Sequence, residues 1–197
     1  MAIRFRDAEE ELNELDRAVG DGDHGSALAR GFLATVENSP DNISRILPGE
    51  ILIEVARKFA NAAGGASGLL FSVIFKELGL ALKMNLTLDS AAFAKGLNAA
   101  SSRVTKVGKV KLGDKTMFDA LHPASVVAQE FVGEKLSVAL LQTSDAARKG
   151  AKATIDLVAK KGRGRYVENG GLGHIDPGAQ SISYIIETLR LEHDESR

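Results

Sequence analysis

The run Leu69-Leu70-Phe71-Ser72-Val73-Ile74-Phe75 decides how the rest of the chain is interpreted, because its apolar residues leave no polar face. A helix that is apolar all round is buried, so the run predicts a helix through the centre of the molecule. A short buried strand is the alternative, since a brief apolar run does not by itself separate the two. The neighbouring segments favour the helix.

Helical patterns lie on both sides of this run. Residues 48–61 begin with a proline and repeat apolar side chains with a period near 3.6. Asp89 can cap a helix that extends to about Val104. Residues 136–161 form a long alanine-rich segment, and residues 179–191 close the chain. About eight helical segments and no convincing strand predict an all-α fold, a helical bundle or barrel.

Composition narrows the class of protein. The 197 residues are 44% hydrophobic and 26% charged, which suits one domain spanning residues 1–197. A net charge of −1 with scattered Lys and Arg argues against a nucleic-acid partner. The lack of cysteine excludes disulfides, thiolate metal sites and a cysteine nucleophile. No apolar run reaches the roughly 18 to 20 residues that span a bilayer, so we expect a cytoplasmic protein without membrane contact.

Residues 15–25 combine three carboxylates with three glycines. The side chains of Asp16, Asp21 and Asp23 would repel one another unless a cation or several hydrogen-bond donors held them together. The glycines remove bulk, so that the backbone can approach a ligand. This run predicts a hard-metal site, with Mg²⁺ carrying a polyphosphate.

The acidic run has two other interpretations, an EF-hand and a helix cap. An EF-hand beginning at Asp21 requires a glycine and a glutamate where Ser26 and Phe32 stand, so it fails. The alternative is that Asp21 or Asp23 caps a helix opening near Ser26. Capping needs one aspartate and leaves the other two unexplained.

Three further glycine-rich breaks carry polar residues. Asn61-Ala62-Ala63-Gly64-Gly65-Ala66-Ser67-Gly68 leads into the apolar run and predicts a phosphate site at a helix N-terminus, or else close helix packing at small residues. In Gly113-Asp114-Lys115-Thr116-Met117-Phe118-Asp119, Asp114 or Thr116 can cap a helix, and Met117 can pack on a flat ring.

The last break covers residues 162–178. Arg163 or Arg165 can neutralise phosphate charge. Asp176-Pro177-Gly178 can instead serve only to start the final helix. Among the histidines, only His24 stands beside the carboxylates, whereas His122 and His174 are interpreted as ordinary structural residues.

Taken together, the four breaks resemble one family, the nucleotide-binding L subunit of dihydroxyacetone kinase. The resemblance covers nearly the whole chain, and it rests on four motifs in the family's order. These are Asp16-x4-Asp21-x-Asp23-His24-Gly25, Gly64-Gly65-Ala66-Ser67-Gly68, Gly113-Asp114-Lys115-Thr116-Met117-x-Asp119 and Gly173-His174-x-Asp176-Pro177-Gly178.

The resemblance implies an eight-helix antiparallel barrel that holds ADP or ATP in the loops at one end. It implies that Asp16, Asp21 and Asp23 bind two Mg²⁺ ions bridging the nucleotide phosphates. It also implies a set of nucleotide-binding residues, along the phosphates and around the nucleoside. That set is His24, Gly25, Ser26, Ala27, Ala66, Ser67, Gly108, Met117, Arg163, Asp176, Pro177 and Gly178.

The same resemblance places the acceptor on another chain. A separate K subunit would hold the ketone as a hemiaminal on a histidine, so we expect no nucleophile and no general base here. The donor is either ATP that exchanges freely, or bound ADP rephosphorylated by a phosphohistidine carrier protein. Only fifteen residues precede Asp16, and Ala27 stands where some phosphotransferase-coupled members carry Asn. Both departures favour ATP exchange.

Two further alternatives stay open. The acceptor can be another short keto-sugar, such as erythrulose, because its pocket would lie on the partner. A non-catalytic alternative is a nucleotide-binding module that senses phosphorylation state and contacts a regulator.

Overall fold

The computed structural model describes residues 1–37, 46–83 and 85–195, and this part of the chain contains helices and no strand. The predicted all-α class is confirmed. The helices are α1 (Ala2–Asp7), α2 (Glu9–Val19), α3 (His24–Val36), α4 (Pro48–Ala63), α5 (Gly65–Ala81), α6 (Ser90–Gly108), α7 (Phe118–Glu130), α8 (Leu136–Ala153) and α9 (Pro177–Glu195). The described residues thus hold nine α-helices where about eight helical segments were predicted, and only Ala8 separates α1 from α2. Among the described helices, none has the length and apolarity to cross a membrane.

One predicted helix is shorter in the structure than its sequence pattern indicates. The segment expected to run from residue 136 to about 161 ends at Ala153 and continues as a 3₁₀ turn, Thr154–Asp156. Two more 3₁₀ turns, Arg163–Tyr166 and Glu168–Gly171, follow before α9. In contrast, Asp89 caps α6 as predicted, accepting a hydrogen bond from the Ala92 N–H at 2.7 Å.

The helices form a closed ring. Each helix from α2 to α9 packs against the next in the chain, and α9 also contacts α2. Consecutive helices that pack together across short connections run in opposite directions, so every second connection lies at the same end. The connections at residues 20–23, 64, 109–117 and 154–176 therefore share one end of the barrel. These are the four glycine-rich breaks of the sequence.

Phenylalanine rings fill the half of the barrel formed by α1, α3, α4 and α5. The Phe32 ring lies 4.4 Å from that of Phe5 and 5.0 Å from that of Phe59. Phe75 meets Phe59 edge-on at 5.4 Å, and Phe71 lies 6.2 Å from Phe59. Edge-to-face ring pairs add about 0.5–1.5 kcal/mol each to the stabilisation from burial. This cluster fixes how the first helices pack.

The apolar run at residues 69–75 lies in α5, so the strand alternative is wrong. Phe71, Ile74 and Phe75 are buried, but Leu69 is 52% exposed. The expectation of a helix through the centre is therefore also wrong, because α5 forms one wall of the ring. Apolar side chains on the outer face and at the ends of α5 are partly exposed to solvent.

The other half of the barrel is packed through small residues. Alanines of α7 and α8, including Ala120, Ala124 and Ala147, are completely buried. At Gly150 of α8, an added Cβ would lie 2.3 Å from the carbonyl oxygen of Asp119. That oxygen belongs to the backbone of the first turn of α7, so it cannot move aside as a flexible side chain does. Gly150 therefore sets the distance between α7 and α8.

We predict that Gly150→Ala destabilises the protein. The overpacking penalty of about 1–3 kcal/mol exceeds the roughly 1 kcal/mol that alanine gains over glycine in a helix. Urea unfolding followed by circular dichroism measures the change in the free energy of unfolding.

Gly108→Ala supplies the control. A Cβ at Gly108 meets its nearest neighbour, a Val110 methyl group, at an ordinary 3.5 Å. This variant should be as stable as the wild type or more stable. Equal effects of the two substitutions would contradict the close contact between α7 and α8.

Candidate functional site

A cavity of about 500 Å³ opens between the four connections at one end of the barrel. All predicted site residues line it except Gly25 and Ser26. The lining members of the predicted set are Asp16, Asp21, Asp23, His24, Ala27, Ala66, Ser67, Gly108, Met117, Arg163, Asp176, Pro177 and Gly178.

Gly25 and Ser26 pack on α2 instead. The Ser26 hydroxyl donates to the Glu9 carboxylate at 2.6 Å, and the Ser26 N–H donates to Asn13 Oδ1 at 3.1 Å. A Cβ at Gly25 would lie 2.0 Å from the Glu9 carbonyl oxygen. The Ser26 side chain is therefore held away from the cavity, and any ligand contact of these two residues would involve their backbone.

The three aspartates converge. Asp16, Asp21 and Asp23 can each present an oxygen so that the three atoms lie within 4.8 Å of one another. Asp16 is buried near the end of α2, whereas Asp21 and Asp23 are exposed on the following loop. An all-oxygen, all-carboxylate donor set fits a hard divalent cation such as Mg²⁺. Arg163 forms an ion pair with Asp21 at the edge of this cluster.

Asp16 also holds the loop in shape. Its Oδ2 atom accepts hydrogen bonds from the N–H groups of Gly22, Asp23 and His24, at 2.9, 3.0 and 3.2 Å. No side chain caps α3 from its N-cap position, which Asp23 occupies. The interpretation that Asp21 or Asp23 caps α3 is thus wrong, because Asp16 of the preceding helix satisfies the first N–H of α3.

The α4–α5 junction presents a helix N-terminus to the cavity. Gly64 and Gly65 have φ of +68° and +63°, and no atom lies within 4 Å of a Cβ added to either. Glycine is needed there for backbone conformation and not for packing. Arg30 donates to two carbonyl groups at the end of α4, at 2.9 and 3.3 Å. The first turn of α5, with Ala66 and Ser67, is left open toward the cavity and can receive an anion.

Apolar side chains line another part of the same cavity. They are Leu69, Leu70, Val107, Val110 and Met117. A set of aliphatic side chains with one thioether offers a surface for a flat ring. The cavity therefore combines acidic, backbone N–H and apolar surfaces.

The connection that carries Met117 is organised by its own carboxylates. Asp119 accepts from the N–H groups of Gly113 and Thr116, at 2.6 and 2.8 Å. The Thr116 hydroxyl accepts from the Phe118 N–H at 3.2 Å, but Met117 occupies the N-cap position of α7 and no side chain caps the helix from there, so the predicted capping by Thr116 is wrong. Asp114 bonds within the loop, to the Lys111 N–H, and does not cap α7.

The turn before α9 combines capping with a carboxyl group at the cavity. Asp176 Oδ2 accepts from the Ala179 N–H at 2.8 Å, so the predicted capping role is present. Burial raises the pKa of Asp176 to about 7, and the nearby Asp119 and Asp16 carboxylates act in the same direction. Near neutral pH this carboxyl group is partly protonated.

His24 is buried at the start of α3 and contacts α9. Its Nε2 atom lies 2.9 Å from Ser181 Oγ, and that hydroxyl donates to the Pro177 carbonyl oxygen at 2.8 Å. Because the hydroxyl proton is already used, Ser181 accepts the proton of His24 Nε2. Burial lowers the pKa of His24 to about 4, so the ring is neutral near pH 7.

Lys115 lines the cavity but was not among the predicted site residues. The sequence did contain a signal, since Lys115 stands inside the 113–119 motif. Lys115 differs from a surface lysine because it is buried. This burial depends on the connection before α9, so the residues next to Lys115 in the sequence do not predict it.

We predict a pH-dependent stability contribution from His24. Its folded-state pKa of about 4 lies below the ordinary 6.5, so the contribution is fully present above pH 6.5 and is lost as pH falls toward 4. The free energy of unfolding of the wild type, relative to His24→Gln, should fall by about 2 kcal/mol between pH 7 and pH 5. Chemical denaturation at both pH values measures it.

His24→Asn is a second reference variant, because asparagine also lacks a titrating ring and differs from glutamine only in length. The stability of the wild type relative to His24→Asn should fall by the same amount between pH 7 and pH 5. A stability difference between wild type and variants that is equal at pH 5 and pH 7 would show that His24 is not protected from protonation.

Comparison with known proteins places these motifs in a family. A family model described as the DAK2 domain matches residues 18–191. The chain is 36% identical to the ADP-binding subunit DhaL of the PEP-dependent dihydroxyacetone kinase of Escherichia coli (strain K12), covering 97% of this chain and 91% of that one. It is 36% identical to the ADP-binding subunit DhaL of the PTS-dependent dihydroxyacetone kinase of Lactococcus lactis subsp. lactis, covering 90% and 85%.

Larger proteins match over part of their length. The chain is 35% identical to the L-erythrulose kinase of Pectobacterium atrosepticum but spans only 31% of it. The structure of the dihydroxyacetone kinase of C. freundii in complex with AMP-PNP and Mg²⁺ matches with a TM-score of 0.71 at 28% identity, covering 97% of this chain and 32% of that one. The resemblance to the L subunit of dihydroxyacetone kinase is confirmed, and the chain belongs to the DAK2 domain family.

Proposed function

We propose that this chain is the nucleotide- and Mg²⁺-binding subunit of a kinase that phosphorylates dihydroxyacetone or another short ketose. The observation that carries this proposal is the convergence of Asp16, Asp21 and Asp23 within 4.8 Å at a cavity that also holds a helix N-terminus. The C. freundii kinase that shares the fold was solved with AMP-PNP and Mg²⁺, which supports the same pair of ligands here.

The three aspartates would hold two Mg²⁺ ions. Bound there, the ions would neutralise negative charge on the nucleotide phosphates. Asp16 differs from the other two because one of its oxygens is engaged by three backbone N–H groups. Its remaining oxygen would be the ligand, so Asp16 would serve the loop and the metal together.

The other surfaces of the cavity suit the remaining parts of a nucleotide. The first turn of α5, at Ala66 and Ser67, would receive phosphate oxygens, with the start of α3 beside it. The apolar lining around Met117 and Gly108 would enclose the base. Arg163 pairs with Asp21 and would exchange that partner for phosphate, since a guanidinium binds either oxyanion.

Phosphoryl transfer depends mainly on positioning and on neutralisation of charge, so this chain need not supply a nucleophile or a general base. His24 is neutral at pH 7 and donates to Ser181, which suits a role in orienting the start of α3. The acceptor ketone would be held by a separate K subunit. The match to an L-erythrulose kinase keeps erythrulose as a possible acceptor.

For the donor, we infer that ADP stays bound and is rephosphorylated by a phosphohistidine carrier. The support is that two relatives of nearly the same length are named ADP-binding subunits of PEP-dependent and PTS-dependent kinases. The alternative is freely exchanging ATP, which the departures from the family pattern favour. Ala27 supports this alternative, because its methyl group lines the cavity and offers the nucleotide no polar contact.

We predict that Asp21→Asn and Asp23→Asn each abolish Mg²⁺-dependent nucleotide binding and leave the helical fold intact. Even substitutions in the outer shell of metal sites cost about 10- to 100-fold in affinity, so losing a ligand should cost at least about 100-fold. Calorimetry with ADP and Mg²⁺ measures affinity, and circular dichroism measures the fold.

Asp7→Asn is the control, since Asp7 is an exposed aspartate of α1 outside the cavity lining. It should bind as the wild type does. Unchanged ADP affinity in both loop variants would refute the metal assignment. Asp16 is left out of this test because its substitution also removes the hydrogen bonds that hold the loop.

We predict that purified protein retains ADP through extensive dialysis in Mg²⁺ and releases it when the metal is chelated. Slow release is required if ADP is a cofactor and not a substrate. Chromatography of the denatured protein, before and after dialysis, measures the bound nucleotide. Complete loss of ADP in Mg²⁺ would favour the ATP-exchanging kinase.

A further inference from the structure

Lys115 is a buried cation in the connection between α6 and α7. Only 2% of the residue is exposed, and its backbone has a φ of +59°, in the left-handed region. Lysine is seldom buried without partners, because its ammonium group loses hydration. The surroundings of Lys115 therefore show what holds it there.

Its ammonium group bonds to both ends of another connection. Nζ donates to the carbonyl oxygens of Thr154 and His174, each at 2.5 Å. These residues bracket the segment between α8 and α9, which carries Arg163. The Asp176 N–H also donates to Thr154 Oγ1 at 2.8 Å, and the Gly173 N–H donates to the Ile155 carbonyl at 2.8 Å. These hydrogen bonds hold the two ends of the segment together, and the Lys115 ammonium group bonds to both ends.

The lysine stem also supports the returning half of that segment. A Cβ added to Gly171 would lie 3.4 Å from Lys115 Cε and 2.3 Å from a Val19 methyl group. Gly164, next to Arg163, also lies against Val19, because a Cβ added to it would lie 3.2 Å from the Val19 carbonyl oxygen. Val19 ends α2, so the segment lies between Lys115 and the acidic loop that follows α2.

Nearby carboxylates compensate the buried charge in part. Burial lowers the pKa of Lys115, and the carboxylates of Asp176, Asp119 and Asp156 oppose that shift. Asp119 in turn holds the connection that carries Lys115, through the N–H groups of Gly113 and Thr116. The ammonium group is therefore the junction between two of the four connections that surround the cavity.

We propose that Lys115 is a positioning residue that holds the base of the α8–α9 connection and thereby places Arg163 toward the nucleotide phosphates. This proposal takes the nucleotide as ligand from the proposed function. The positioning role itself is inferred from the contacts of Lys115. Lys115 acts through Arg163, so its contribution to nucleotide binding requires that arginine. A lysine that only stabilised the fold would contribute independently of Arg163.

A double-mutant cycle tests this dependence. In a chain that keeps Arg163, Lys115→Met should weaken binding of ADP in Mg²⁺ about tenfold. The reason is that a misplaced Arg163 guanidinium loses most of its contribution to binding. In an Arg163→Met background the same substitution should change the affinity less than twofold. Equal weakening in both backgrounds, or none in the wild type, would overturn the proposal.

Lys109→Met is the matched control, since Lys109 is an exposed lysine that also has a positive φ, of +50°. It should bind ADP as the wild type does. If Lys115→Met does not fold, the cycle is repeated with Lys115→Gln, which keeps a donor for one carbonyl but lacks the charge.

Hydrogen exchange separates failure of this proposal from failure of the proposed function. In ligand-free protein, Lys115→Met should speed amide exchange in residues 155–173 about tenfold or more while α4 and α5 keep their protection. Unchanged exchange there would overturn the positioning role. Wild-type protein that fails to bind ADP in Mg²⁺ would instead overturn the proposed function.

Discussion

The end of the barrel that contains the cavity depends on one carboxylate oxygen. Asp16 Oδ2 accepts three successive backbone N–H groups, from Gly22 to His24, and so joins the end of α2 to the start of α3. The same interaction brings Asp21 and Asp23 close to Asp16, although three carboxylates repel one another. The backbone N–H groups offset part of that repulsion. A cation would offset the rest, which is why the cluster suits Mg²⁺.

The ring of helices explains why four distant motifs meet. Alternate connections of an antiparallel barrel lie at the same end, so motifs separated by forty or more residues can surround one cavity. Aromatic rings fill the half of the barrel around α4 and α5, and small residues let α7 and α8 approach closely. The packing holds the helix ends in place, and the connections are thereby free to carry glycine and charge.

Buried polar groups then fix the connections relative to one another. His24 joins α3 to α9 through Ser181, and Lys115 joins the connection before α7 to the one before α9. Each contact spans more than thirty residues of sequence, and burial shifts the pKa of both side chains downward. Connections fixed in this way are preorganised, which would lower the cost of ordering them on binding.

The all-α class, most helix positions, the acidic cluster and the family are predictable from the sequence, because they depend on local periodicity and on ordered motifs. Only the tertiary structure decided that α5 is a wall of the ring, that Asp16 and not Asp21 or Asp23 satisfies the start of α3, and that Ser26 faces α2. It also decided that Lys115 is buried. The physical reason is that burial and hydrogen-bond partners are set by residues far away in the chain, whereas periodicity and motif order are read from neighbours.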